Sequence, residues 1–383
     1  MENYQISPGQ KSTMAWAAIL APAVSVLPGA TAKLAGEGAW LAYVAALPVA
    51  VLLARGLGLE RQGLAQRIMH RLGKIAGRAV LIIYIMWALL LMSARLRLSG
   101  QRLLLTAQRD GGLWFFLPVI AAMALWMAWG KPGAFDRTAV LLFRILILAL
   151  GLVVLLTVAQ SRVENLWPVW VQDVPGILRG AVPVVGVLCY GAYAAFLPGG
   201  EGDPKHGRTV YCMGLLTLLQ LSILGNLGAP LTAGLEDPFL TLSKRVGVEG
   251  AFQRVESLVS ALWLFADLAL LGLLLWACRQ IMAEVCPAFR GLWTACVCTG
   301  LVLLGAGILF RDAVAARRFE QAVAPVGNLV LGVGVPLLLV LWERGKKEVP
   351  PKGHILCPEP PEKADVVGEK AREKTFKKDE KRC

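Results

Sequence analysis

Few residues inside the apolar stretches of this chain could do chemistry, and their types point to binding rather than bond making. In SALWLFADLALLG (260–272) a lone carboxylate, Asp267, has no cation in the same stretch. Such a group must face a bundle interior, water or a partner, because hydrocarbon penalises an unpaired charge. Two readings stay open for it: a structural hydrogen bond or pairing with an arginine such as Arg144, or contact with a ligand. PAVSVLPG (22–29) sets Ser25 between two prolines, and AVPVVGVLCYGAYAAFLPGG (181–200) sets Leu188, Cys189, Tyr190 and Gly191 between Pro183 and Pro198. A proline inside a helix removes one N–H and clashes with the preceding turn, at a cost of about 3 kcal/mol. Backbone opened there can face a ligand: helix N-termini favour a carboxylate, and free carbonyls favour an ammonium. The matching chemistry is recognition of a small zwitterion. No nucleophile with a base, phosphate loop or metal cluster appears, and Cys296 and Cys298 have no His or carboxylate beside them. An enzyme, a metal and a cofactor are therefore not expected.

The elements that position these residues follow from composition. The chain has 383 residues, 56% hydrophobic and 17% charged, against about 25% charged in a typical soluble domain. Ten apolar stretches approach the length of a membrane helix: 13–30, 39–54, 79–94, 113–130, 139–159, 181–198, 210–230, 258–278, 292–310 and 323–342. The expected class is an all-α polytopic membrane protein. The net charge of +13 is spread over short loops and a tail, so membrane lipid is its expected partner and nucleic acid is not. No cleavable leader is expected, and the first helix is retained.

Loop charge orients the helices. The 55–78 connection holds Arg55, Arg61, Arg67, Arg71, Lys74 and Arg78 against Glu60, which places it, and both termini, in the cytoplasm. Arg95, Arg97, Arg102 and Arg109 then fall on the opposite side, against the rule. Within that connection Leu64, Ile68, Leu72 and Ile75 share a helical face, as expected of an amphipathic helix in the headgroup region, or of a solvated connector. Stretches one to five and six to ten have matching profiles, each with its longest connection after the second. Five spans per repeat require the halves to be inverted. The expected organisation is a cytoplasmic N-terminus (1–12), a first repeat (13–160), a second repeat (161–342) and a disordered cytoplasmic tail (343–383). The 230–254 connection becomes a partly helical external lid. In this frame the two proline-interrupted stretches are the first helices of the two repeats. Glycine and proline can merely bend a membrane helix, but interruptions at corresponding places favour a midplane site.

The chain resembles the spore germination permease family, the B subunit of germinant receptors in endospore-forming bacteria, within the amino acid, polyamine and organocation transporter superfamily. The resemblance rests on ISPGQ (6–10), LGKIAGRAVLIIYIMWALLLMSARLRL (72–98), NLWPV (165–169), ILRGAVP (177–183) and 238–278, with Phe252, Arg254, Glu256 and Trp263. It implies a LeuT-type five-plus-five inverted repeat with helices one and six broken and the ligand among helices one, three, six and eight. It also implies A and C partner subunits in the spore inner membrane and a small nutrient, commonly an amino acid. Family members commonly carry an acidic residue shortly after the helix-six glycine, where this chain has Tyr193. The expected contacts are Ser25 with the backbone of Ala23 and Val24; Leu188, Cys189, Tyr190 and Gly191; Tyr84; and Trp263 with Asp267.

Overall fold

The computed structural model describes residues 6–58, 63–106, 112–130, 132–197, 199, 206–245, 255–289 and 291–339. The tail at 343–383, the end of the lid with Phe252 and Arg254, the side chain of Glu256, Pro198 and Arg109 lie outside the described set. Seven helical segments among the described residues are long and apolar enough to cross a membrane, and Leu113–Trp129 and Leu292–Ile308 are shorter apolar helices.

Among the described residues the helices group into ten units, numbered here as helices one to ten. The first is α1 (Pro8–Ser25) followed by α2 (Leu27–Ala35), and the second is α3 (Ala39–Gly58). The third is the long α4 (Leu64–Thr106), the fourth α5 (Leu113–Trp129) and the fifth α6 (Pro132–Val158). The sixth is α7 (Val174–Leu188) running into a 3-10 helix, Cys189–Phe196, and the seventh is α8 (His206–Leu227). Two short helices, α9 (Ala229–Gly234) and α10 (Pro238–Arg245), occupy the described part of the connection that the sequence reading expects to be a lid. The eighth pass is α11 (Val255–Val285) and the ninth α12 (Leu292–Ile308). The tenth joins α13 (Ala313–Arg318), a π-helical turn at Phe319–Val323, α14 (Ala324–Leu329) and a second π turn at Val330–Gly334.

The inverted repeat is visible in the packing. Equivalent passes of the two halves lie against each other: α2 on α7, α3 on α8, α4 on α11 and α5 on α12. The start of helix one meets the end of helix six, where Ile6 and Gly199 form an isolated parallel bridge. The N-terminal end is capped by Ser7, whose side chain accepts from the Gln10 N–H at 3.3 Å while Gln10 Oε1 accepts from the Ser7 N–H at 2.8 Å. That reciprocal box satisfies two otherwise orphaned donors.

Three boundaries differ from the sequence reading, each for a physical reason. Helix three continues to Thr106 rather than 94, because Arg95 and Arg102 are neutralised within the bundle and need no water. Helix ten begins at Ala313 rather than 323, since the charged run AVAARRFEQ (313–321) is helical and turns Glu320 inward. The amphipathic segment ends at Gly73, whose φ of 79° and ψ of 176° break α4; only glycine adopts that φ without strain. Leu64 and Ile68 are buried on the protein, while Ile75, past the break, is 89% exposed. The amphipathic helix therefore covers 64–72 and lays its apolar face on the bundle.

Candidate functional site

The site is built on helix three. Arg95, Ser99 and Arg102 are spaced by four and then three residues, which sets them along one face of α4. Helix eight supplies Asp267 and the π turn of helix ten supplies Glu320; all of these side chains are buried. Arg95 Nη1 stands 3.6 Å from Asp267 Oδ1, and Arg95 Nε stands 3.2 Å from Glu320 Oε1. Asp267 Oδ2 is 3.3 Å from Arg102 Nη1 and 2.7 Å from Ser99 Oγ. Ser99 Oγ also lies 2.8 Å from the Arg95 carbonyl, so its single proton serves one acceptor at a time. Arg102 Nη2 reaches Asp237 Oδ2 of the lid at 3.6 Å. Two arginines thus face three carboxylates.

Helix one enters this cluster through Ser25, the last residue of α1. Its hydroxyl donates to the Ala21 carbonyl at 2.9 Å and accepts from Arg95 Nη1 at 3.0 Å. The break after it is narrower than the two prolines imply. Pro22 lies inside α1, Pro28 opens α2, and only Val26, at φ −105° and ψ −46°, separates them. The Val26 N–H still bonds to the Pro22 carbonyl and the Ala30 N–H to the Val26 carbonyl, so the joint is a kink in nearly continuous helix. In helix six the change at Cys189 is a tightening into 3-10 geometry.

The expected site residues divide into groups. Ser25 and Asp267 are in the ionic cluster, and Tyr190 stands beside it, in the field of Glu320 and Arg95 and next to Asn328. Ala23 and Val24 are buried two residues and one residue before Ser25. Trp263 packs its ring on Phe239 of the lid, with centroids 4.9 Å apart, one turn before Asp267. Gly191 is a packing residue: a Cβ there would stand 3.0 Å from Ile19 Cδ1 and 3.3 Å from Ala15 Cβ of helix one. Tyr84 is held structurally, its hydroxyl donating to the Leu331 carbonyl at 2.5 Å and its ring lying edge-on to Phe196 and Tyr193. Leu188 and Cys189 face elsewhere, lining a 420 Å³ cavity with helix two, the start of α4 and helix ten.

Asp267 pairs with Arg95 and Arg102 of helix three, where the sequence reading named Arg144 as an example. The same finding removes half of the exception to loop charge, since Arg95 and Arg102 are inside the bundle. Arg97 donates to the Arg311 carbonyl at 2.5 Å. Sequence reasoning missed Arg95, Ser99, Arg102, Asp237 and Glu320. The available signal was the four-and-three spacing of Arg95, Ser99 and Arg102, which continues the helical register of the third apolar stretch.

The cluster has capacity left over. Among the described residues, Arg95 Nε and Nη2, Asp267 Oδ1 and both Glu320 carboxylate oxygens are buried without an aligned hydrogen bond. Buried polar atoms are ordinarily satisfied, so donors and acceptors in this number mark a place for water or a polar ligand. The guanidinium suits a carboxylate and the acidic oxygens suit an ammonium. A second cavity, of 630 Å³, lies at the C-terminal end of α2, with Lys33, Glu37, Gln172 and Asp173 in its wall.

Ten helices in two inverted sets of five, with interrupted first and sixth helices and a buried polar cluster between them, define a permease-like membrane protein of the LeuT type. The chain belongs to the spore germination protein family, whose sequence profile matches residues 5–310. Among solved structures it is similar to Mhp1, a nucleobase-cation-symport-1 family transporter in a closed conformation with bromovinylhydantoin bound. That likeness has a TM-score of 0.61 at 13% identity and covers 88% of this chain and 77% of that one. A manganese transporter from Eremococcus coleocola, in complex with an aromatic bis-isothiourea compound, aligns with a TM-score of 0.48 at 17% identity, over 88% of this chain and 78% of that one. No curated protein matches the sequence significantly. Glu320 lies beyond the residues matched by the family profile.

Proposed function

We propose that the protein is the membrane-embedded nutrient-binding subunit of a spore germinant receptor, working without enzymatic chemistry in the spore inner membrane beside the A and C subunits. Its ligand is a small zwitterion, an amino acid, held between Arg95 and the carboxylates of Asp267 and Glu320. The observation that carries this reading is the unsatisfied, fully buried polar capacity of those three side chains. The ligand carboxylate pairs with the guanidinium, and its ammonium takes the acidic oxygens of Asp267 and Glu320 that lack an aligned hydrogen bond. Ser25 reports the event to helix one, because the arginine it now binds is the one the ligand would turn. Asp237 reports it to the lid through Arg102.

The alternative is a secondary transporter of amino acids or organic cations, and the transporter-type fold favours it. Both readings use the same cluster. Spores carrying Asp267→Asn should lose nutrient-triggered germination while the protein stays in the inner membrane; an unchanged response to every nutrient would overturn the assignment of the site.

A further inference from the structure

The 420 Å³ cavity behind helix six belongs to neither the ionic cluster nor the lid. Its walls are Val49, Leu52 and Leu53 of helix two, Leu188, Cys189, Ala192 and Ala195 of helix six, Leu64 of the amphipathic segment, and Gly332, Val333, Pro336 and Leu337 of helix ten. Among the described residues, Arg67 is the charged member of its lining. That volume lies in the range of about 300–1,000 Å³ typical of small-molecule sites.

Position gives the cavity its meaning. Arg67 lies on the side that carries Arg55, Arg71, Lys74 and Arg78, the cytoplasmic side by loop charge. Cys189, at the other end, starts the eight-residue 3-10 segment that closes helix six. At about 2 Å rise per residue that segment is roughly 16 Å long, close to half of the roughly 30 Å hydrocarbon thickness. The cavity therefore runs from headgroup level to the midplane, cationic at one end and apolar along its length. Leu52 and Leu337, 62% and 53% exposed, form its outer edge toward the bilayer. Those proportions match one leaflet's lipid with an anionic headgroup, and they do not match a polar solute.

We infer that this cavity is a binding site for the acyl chain of an anionic phospholipid whose headgroup meets Arg67. The occupant would sit directly against the 3-10 segment. Gly332 of helix ten already meets that segment closely, since a Cβ there would stand 2.7 Å from Cys189 Cβ. A bound chain would fill the remaining side and resist movement of the lower half of helix six, so lipid composition would set how readily the receptor responds.

The test is native mass spectrometry of the full-length protein, delipidated and then exposed to phosphatidylglycerol or to phosphatidylcholine of the same chains. The expected result is one retained phosphatidylglycerol per protein, preferred over phosphatidylcholine. Arg67→Gln should reduce that preference by about five-fold, the scale of one cation near an anionic surface, and Ala192→Phe should remove retention of both lipids by filling the cavity. Arg78→Gln, on the same face but not in the lining, should leave both unchanged. Equal retention of the two lipids by the wild type, or Arg67→Gln and Arg78→Gln behaving alike, would overturn the proposal. Because Arg67→Gln leaves the packed walls intact, the test stands even if Ala192→Phe fails to fold.

Discussion

At the scale of single residues, Arg95 is the side chain on which the account turns. Two carboxylates and the Ser25 hydroxyl converge on it inside the bundle. Breaking a buried pair by removing one member strands the other charges and typically costs about 3–5 kcal/mol. Arg95→Ala should therefore lower the Tm of the detergent-solubilised protein well below that of Arg144→Ala, measured by thermal unfolding; equal Tm values would contradict the ion-pair geometry. Asp267 was legible from sequence because a lone carboxylate in an apolar run has no innocent place to go. Its partners were hidden for the complementary reason. Arg95 and Arg102 follow an apolar run and look like the first charges of a loop, and Glu320 sits in a run of arginines. Charge was read as exposure, whereas here opposite charges from three helices cancel in the interior.

Among the elements, the broken helices were foreseen and their character was not. Two prolines in PAVSVLPG imply an unwound stretch, yet α1 absorbs Pro22, and Pro28 takes the first turn of α2, where its missing N–H costs nothing. What remains is one kinked residue, placed next to the hydroxyl that meets Arg95. Helix six narrows instead of opening, so Gly191 serves the contact with Ile19 and Ala15. Gly191→Leu should abolish nutrient response by forcing helix six from helix one, at about 1–3 kcal/mol of stability, whereas Gly191→Ala should respond nearly normally. A normal response in Gly191→Leu spores would show that the two helices need not stay packed. The amphipathic helix was visible in its Leu64, Ile68 and Leu72 spacing, but period alone could not show that Gly73 leaves helical geometry. Periodicity continues through a residue that the backbone does not.

For the whole molecule, ten apolar stretches and two matched halves were enough to reach the inverted repeat, because hydrocarbon leaves helices as the available way to satisfy every backbone group. The packing of equivalent passes could not be read that way, since it depends on which faces are small enough to approach. The lid is the feature that joins these scales. Asp237 accepts from the Leu240 N–H at 3.1 Å through one oxygen and meets Arg102 through the other, so the 229–245 segment and the buried cluster share one carboxylate. A receptor needs that link only to signal; a transporter needs it to open and close repeatedly. Proteoliposomes containing the protein alone should bind labelled amino acid without accumulating it, and gradient-driven accumulation would instead support the transporter reading. The most direct test of the central claim is calorimetric binding of amino acids, sugars and nucleosides to the purified full-length chain. The account predicts that an amino acid binds, that neither its amide nor its des-amino analogue does, and that Asp267→Asn abolishes the heat while the protein remains folded. Binding that survives Asp267→Asn, or that ignores loss of the ligand's charges, would contradict it.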